Sequence, residues 1–300
     1  MLDLEDRVVI VTGGAGGIGR EESLLLARLG ARVVVNDIGT RNDDLGDEVR
    51  WRAADVVDEI TAEGGTAAPA TEDPSNFEGA RAVVGVALER FGRLDAIVNN
   101  AGILRDGMVF NLDMDDWQNV LRVHLDHTFA MTNVAANHWR ERVKAGDQVA
   151  ARIVNTTSAA GLLGNVGQAN YGAAKAGIAA FTVIVSQELA RYGVTCNAIS
   201  PVARTAMTAG LTTPPGDGFD HLDPANVAPL VAYLVSAQAG WLTGQVLRVA
   251  GGAVNRYTGW TIHDGFDTGK RLEPDELDLR LRRLYGVYPA GMTASPSRRD

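Results

Sequence analysis

Continuous apolar runs alternate with amphipathic stretches along most of the chain, and that alternation leaves few folds open. Segments 7–13 (RVVIVTG), 31–37 (ARVVVND), 94–102 (LDAIVNNAG), 151–158 (ARIVNTTS), 193–201 (GVTCNAISP) and 244–252 (GQVLRVAGG) read as strands, with 64–70 (GGTAAPA) a weaker one. Between them, 18–30, 47–63, 75–91, 115–143, 170–192 and 224–237 read as helices. A strand that is apolar at successive positions, rather than at alternate ones, needs cover on both faces. Such strands separated by helices build a parallel sheet flanked by helices on both sides. The expected fold is therefore α/β and doubly wound, with seven parallel strands in one domain over residues 1–257. Residues 258–300 are expected to be an extension that packs on that domain or on a neighbouring subunit. The Gly-, Asn- and Asp-containing stretch 38–46 reads as a loop, and the Pro- and Gly-rich stretch 208–223 as a mobile lid.

Composition excludes some functions. The net charge of −9 argues against a nucleic-acid surface, which needs clustered Lys and Arg. The single cysteine, Cys196, allows no intrachain disulfide, and its strand-like setting suits a small buried hydrophobe. The opening MLDLEDRVVIVTGG lacks the pattern of a secretory leader. No apolar run reaches the length expected of a membrane span. A cytoplasmic protein is the default expectation, and no metal site is expected.

Two groups of residues carry chemistry. The first is VTGGAGGIGR, where the first strand gives way to the first helix; Gly13, Gly17 and Gly19 have G-x-x-x-G-x-G spacing. Glycines permit a tight turn and close approach of backbone to a pyrophosphate, while the helix amino terminus supplies donors and a favourable dipole. A glycine-rich stretch alone is equally a flexible loop, but strand–turn–helix context favours dinucleotide binding. Asp37, at the end of the second strand, is placed to accept hydrogen bonds from ribose hydroxyls and to repel a 2′-phosphate, which favours NAD over NADP. Arg41 is the residue that would reverse this by folding toward such a phosphate.

The second group is NTTSAAGLLGNVGQANYGAAK, which holds Ser158, Tyr171 and Lys175. Residues four apart share a helix face, so Lys175 lies near Tyr171. A phenol is a poor base at neutral pH, and a nearby cation is expected to lower its pKa. Ser158, from the preceding strand end, is placed to hold a substrate oxygen. Together these residues can move a proton on or off an alcohol.

The glycine turn, NNAG at 99–102 and Ser158/Tyr171/Lys175 occur in the order seen in the short-chain dehydrogenase/reductase family, which the chain resembles over almost its whole length. The resemblance implies a Rossmann-like fold and hydride transfer to or from NAD. Tyr171 would be the acid/base, Lys175 would hold the nicotinamide ribose, and Ser158 would orient the substrate. Gly13, Gly17, Ile18 and Gly19 would cradle the cofactor. Asn99, Ala101 and Gly102 would border it, Asp73 would contact the adenine amino group, and Pro201 and Thr205 would lie near the nicotinamide amide or a phosphate. The resemblance also implies a homodimer or homotetramer, formed through the helices over 115–143 and 170–192.

Where most members carry an Asn in the long helix, RVHLDHTF places His124. The ordinary reading of one helical histidine is packing; its position favours support of the catalytic site through a water or a helix kink. RVHL, NNAGILRDGMVF, GNVGQANYGAAKAG and residues 251–281 are similar to the (3R)-hydroxyacyl-CoA dehydrogenase part of peroxisomal multifunctional enzyme type 2 and its bacterial stand-alone relatives. The implied substrate is an acyl-CoA thioester. The alternatives are a 17β-hydroxysteroid or other secondary-alcohol dehydrogenase, a 3-oxoacyl thioester reductase, and a non-catalytic nucleotide-binding protein.

Overall fold

In a computed structural model of the chain, residues 2, 4–39, 52–205, 218–261, 265–269 and 271–285 are described. Strands β1 (Val8–Thr12), β2 (Arg32–Asn36), β3 (Thr66–Ala70), β4 (Ala96–Asn99), β5 (Ala151–Thr156), β6 (Val194–Val202), β7 (Val246–Ala250) and β8 (Ala253–Arg256) form one sheet in the order β3-β2-β1-β4-β5-β6-β7-β8. The first seven are parallel. The eighth was not expected: β8 turns back antiparallel on β7, pairing Ala250 with Ala253. Gly251 has φ +54, which suits the tight reversal through Gly251 and Gly252.

The helices are α1 (Gly17–Arg28), α2 (Ala53–Ala62), α3 (Phe77–Phe91), α4 (Met114–Leu121), α5 (His127–Lys144), α6 (Ala159–Leu163), α7 (Ala169–Leu189), α8 (Ala228–Val235) and α9 (Pro274–Tyr285). Alternating strand residues feed two cores. Val9, Val11, Val33 and Val35 pack with α1, α2 and α8, whereas Val8, Ile10, Val34 and Ile97 pack with α3 and α5. Cys196 lies in the second core as a buried free thiol, its pKa pushed up by burial. The chain separates into two compact units, residues 1–257 and 258–300.

The sequence-based boundaries differ from the structure in several places. The helix expected over 115–143 is interrupted by a five-residue π turn, Arg122–Asp126, which contains His124. RVHLD contains no Pro or Gly, so no helix breaker in the sequence marks the insertion. A short helix, α6, follows Ser158 in a segment to which the sequence reading assigned no element. The loop over 38–46 and the start of the helix over 47–63 fall largely outside the described residues, as do Arg41 and most of the proposed lid.

The expectation about membrane-length segments also requires correction. Ala169–Tyr192 is long and apolar enough, by length and composition, to cross a bilayer. Here it packs on β5 and β6 and carries Lys175, whose side chain is buried. Core burial and membrane burial select the same apolar composition, so composition alone does not separate them.

Candidate active site

The chain runs outward through β1, β2 and β3 and then crosses to β4 on the other side of β1. A crevice forms at such a reversal, beyond the carboxyl ends of the strands. The glycine turn after β1 and the NNAG segment after β4 meet there. Gly13 has φ +63, and a Cβ on it would lie 2.8 Å from Ala101 Cα. A Cβ on Gly19 would overlap the Gly13 carbonyl. Both positions therefore need glycine to bring the turn, α1 and NNAG together. Ile18 is a partly buried residue of α1 that packs against the first core.

Asn100 and Thr12, which the sequence reading did not single out, hold this junction. Asn100 Nδ2 donates to the carbonyls of Thr12 (3.1 Å) and Gly13 (3.3 Å), while Thr12 Oγ1 accepts from the backbone N–H groups of Asn100 (3.0 Å) and Ala101 (3.2 Å). Asn99 points elsewhere. Its Nδ2 donates to Asn155 Oδ1 at 2.8 Å, inside the sheet.

Asp37 stands beside the glycine turn. Its Oδ2 accepts from Ala15 N at 3.2 Å and its Oδ1 from Gly39 N at 2.9 Å. Burial raises its pKa, partly countered by these two bonds. Each carboxylate oxygen retains accepting capacity for a hydroxyl. A tight glycine turn, a helix amino terminus and a carboxylate at the end of β2 fit the pyrophosphate and ribose of a nicotinamide dinucleotide. Thr205 covers the turn: its Cγ2 would lie 3.4 Å from a Cβ on Gly17. Pro201 is on β6, paired with Val249.

Asp73 is tied to the interrupted helix. Its Oδ2 accepts from Arg122 Nη1 at 2.7 Å and its Oδ1 from Ser75 N at 2.9 Å. Burial pushes the carboxyl up, but bonds from Ser75 and Arg122 outweigh it and hold the pKa below the usual range. Arg122 lies in the π turn, so Asp73 joins the end of β3 to the segment that positions His124.

Ser158, Tyr171 and Lys175 converge from β5, α6 and α7. Ser158 caps α6 by accepting from Ala160 N at 3.2 Å, and its hydroxyl is close enough to the Tyr171 phenol to favour the phenolate. Lys175 is buried; its Nζ donates to the Thr156 carbonyl at 2.6 Å and lies 5.6 Å from the Tyr171 ring centroid. The electrostatics differ from the sequence expectation. Burial raises the Tyr171 pKa, with the nearby Ser158 hydroxyl opposing it and Asp106 adding to it. Burial lowers Lys175 to about 7. Desolvation disfavours the charged form of each group, so the protein surroundings favour a neutral phenol and weaken the ammonium meant to counter it.

Asn170 and Gln168 were also missed. Asn170 is fully buried; its Nδ2 donates to the Arg105 carbonyl at 2.8 Å, and its Oδ1 accepts from Tyr171 N at 2.7 Å. Gln168 Nε2 donates to Asp106 Oδ2 at 2.9 Å. They clip the segment after NNAG onto the start of α7. QAN directly before the tyrosine was the available signal, but neither partner was legible.

His124 joins the two halves of the site. Its ring is 1 % exposed and sits edge-on to Tyr171, with centroids 5.2 Å apart and planes at 82°. Nε2 lies 3.1 Å from Ile103 N and 2.8 Å from Ile103 O. Gly102 makes room for the ring, since a Cβ there would overlap it. Burial, reinforced by Lys175, keeps His124 well below its ordinary pKa and therefore neutral at pH 7.

A glycine turn and a strand-end carboxylate suited to a dinucleotide, beside an alcohol-directed acid/base group, define a nicotinamide-dependent oxidoreductase acting on CH–OH. The short-chain dehydrogenase family model matches residues 7–215, and the chain belongs to that family. It is 44% identical over 294 residues to the hydroxyacyl-CoA dehydrogenase ChsB1 of Mycobacterium tuberculosis, covering 94% of this chain and 90% of that protein. It is 41% identical to peroxisomal multifunctional enzyme type 2 of Drosophila melanogaster, over 85% of this chain and 42% of that longer protein. The crystal structure of a short-chain dehydrogenase from Mycobacterium avium superposes with a TM-score of 0.86 at 46% identity, covering 94% of this chain and 96% of that one.

Proposed function

We propose that this chain is an NAD-dependent (3R)-3-hydroxyacyl-CoA dehydrogenase acting on a fatty or steroid side-chain thioester. The observation that carries the reading is the convergence of Ser158, Tyr171 and Lys175 beside the Asp37-flanked glycine turn. Its substrate class rests on the 44% identity to a hydroxyacyl-CoA dehydrogenase over nearly both full lengths. A bound nicotinamide dinucleotide supplies the hydride acceptor. Tyr171 Oη takes the proton of the substrate hydroxyl as the carbinol carbon loses hydride, leaving a ketone. Ser158 Oγ holds the oxygen as it becomes a carbonyl. Lys175 would hold the nicotinamide ribose, and its charged fraction favours the phenolate. In reduction, Tyr171 returns the proton. His124 is a positioning residue that packs on Tyr171 and fixes the backbone at Ile103.

The Asp37 carboxylate favours NAD because a 2′-phosphate would bring negative charge against it. It also counts against reading the chain as an NADPH-dependent 3-oxoacyl thioester reductase, although the 3-oxoacyl-[acyl-carrier-protein] reductase of Synechocystis is 39% identical over 85% of this chain. The exposed apolar side chains Phe129, Val183 and Ile184 on α5 and α7 support a homo-oligomer contact along those helices.

Initial rates with NAD and NADP across (3R)-hydroxyacyl-CoA, sterol side-chain hydroxyacyl-CoA and free hydroxysteroids test the assignment. Activity confined to free steroids refutes the thioester, and a preference for NADP refutes the role of Asp37. Tyr171→Phe should lower kcat by about 10²–10⁴-fold while NAD still binds. Unchanged turnover in that variant would refute the mechanism.

A further inference from the structure

At the edge of the sheet opposite the glycine turn, where strands begin, a polar cleft encloses about 350 Å³, open solvent included. Arg7, Arg93, Asp95, Trp139, Arg142 and Gln148 line it. Arg7 immediately precedes β1, Arg93 and Asp95 precede β4, Gln148 precedes β5, and Trp139 and Arg142 come from α5. Its walls are thus set by three strand starts and one helix.

The charges in and behind this cleft do not balance. Asp95 accepts from Arg93 Nε (2.8 Å) and Nη2 (2.7 Å) and from Val8 N (2.9 Å). Arg142 Nε donates to Asp147 at 3.0 Å. Arg7 bonds only carbonyls, through Nη2 to Ala150 (3.0 Å) and Asp95 (3.4 Å), and its buried Nε has no acceptor. Behind it, Arg152 is 4 % exposed and donates only to the carbonyls of Ser236 (3.0 Å), Ala151 (2.8 Å) and Ala237 (3.5 Å). Burial and repulsion by Arg7 lower Arg152 to about 10. Nearby Asp6 is paired with Arg32. Four guanidinium groups, Arg7, Arg93, Arg142 and Arg152, therefore stand against the carboxylates of Asp95 and Asp147, in a chain whose net charge is −9.

A buried cation without a counter-charge is costly, and an anion within reach offsets that cost. The guanidinium fork matches oxyanion geometry, and three of the four line an open polar cleft. We propose that this cleft binds a small tetrahedral oxyanion, either inorganic phosphate or the phosphate group of a phosphomonoester, through the free guanidinium edges of Arg93 and Arg142, with the charge of Arg7 in the cleft wall adding to their attraction. The site is distinct from the dinucleotide crevice, because it lies at the amino ends of the strands whose carboxyl ends form that crevice.

Titration calorimetry on the full chain, with NAD saturating and inorganic phosphate exchanged for chloride at constant ionic strength, tests the proposal. The wild type should show one saturable site, and Arg142→Gln should weaken it by about tenfold or more, the worth of one charge-assisted hydrogen bond. Arg142→Lys keeps the charge but loses the fork, and should fall between the two. Arg256→Gln, an exposed arginine on β8, is the charge-matched control and should bind as the wild type does. Competition by glycerol 3-phosphate would assign the site to phosphomonoesters, and its absence would assign it to inorganic phosphate. No saturable binding at millimolar phosphate, or equal affinity in wild type, Arg142→Gln and Arg142→Lys, would overturn it.

Discussion

Glu22 lies in α1, one turn beyond the glycine turn, and is 0 % exposed. Neither carboxylate oxygen has a hydrogen-bond partner. Burial alone raises its pKa from 4.5 to about 8, so the folded protein holds a proton there at neutral pH. The unfolded chain has already released that proton above pH 4.5. Stability is thus unaffected by Glu22 below the unfolded value, falls between pH 4.5 and 8, and is level beyond. At pH 7 the gap of 7 − 4.5 units is worth about 3 kcal/mol, at 1.36 kcal/mol per unit. Glu22→Gln keeps the shape and removes the titration. It should stabilise the protein by about 3 kcal/mol at pH 7, or roughly 6–12 °C in Tm, and by nearly nothing at pH 4.5. Urea unfolding of both proteins at pH 4.5, 6, 7 and 8.5 measures the difference. A gain that does not change with pH, or a loss at pH 7, would refute the account of Glu22 as a buried neutral acid.

Other outcomes follow from the same geometry. Gly102→Ala should lower kcat by pushing the His124 ring off Tyr171, and the His124→Ala background, which removes the overlap, should accept it without further loss; steady-state kinetics on the double mutant decides. His127 is fully buried, and burial lowers it from 6.5 to about 4. The unfolded chain therefore takes up that proton first on acidification, and stability is lost as pH falls from 6.5 toward 4. His127→Gln should flatten that acid limb by up to about 1.4 kcal/mol per pH unit, read from urea midpoints. Asn100→Ala should weaken NAD binding in calorimetry, because it frees the Thr12 and Gly13 carbonyls from NNAG, and it should leave the Ser158–Tyr171 contact unchanged.

Much of the fold was legible because its signals are local. Runs such as VVIVT and RVVVN require cover on both faces wherever they occur, and the glycine spacing after β1 is tied to one turn. Tyr171 and Lys175 were readable as a pair because helix geometry alone places them together. The π turn at Arg122–Asp126 was not readable, since RVHLD holds no Pro or Gly to mark a break in the helix. Asn99 and Asn100 are adjacent and chemically identical. Only the pleat of β4 and the turn after it send one amide into the sheet and the other to the glycine turn.

The amino-acid sequence by itself determined the layered α/β fold, the glycine turn after β1 with a carboxylate at the end of β2, and the spacing of Ser158, Tyr171 and Lys175. These depend on backbone conformation and on residues a few positions apart. Tertiary structure alone decided the electrostatics. A glutamate in a helix reads as surface, and Glu22 is buried without a partner; a tyrosine beside a lysine reads as an activated phenol, and burial opposes that activation. Desolvation depends on what packs over a group from distant parts of the chain. The same holds for His124, whose role rests on Gly102, Ile103 and Tyr171, and for the arginines that three separate strand starts bring to one cleft.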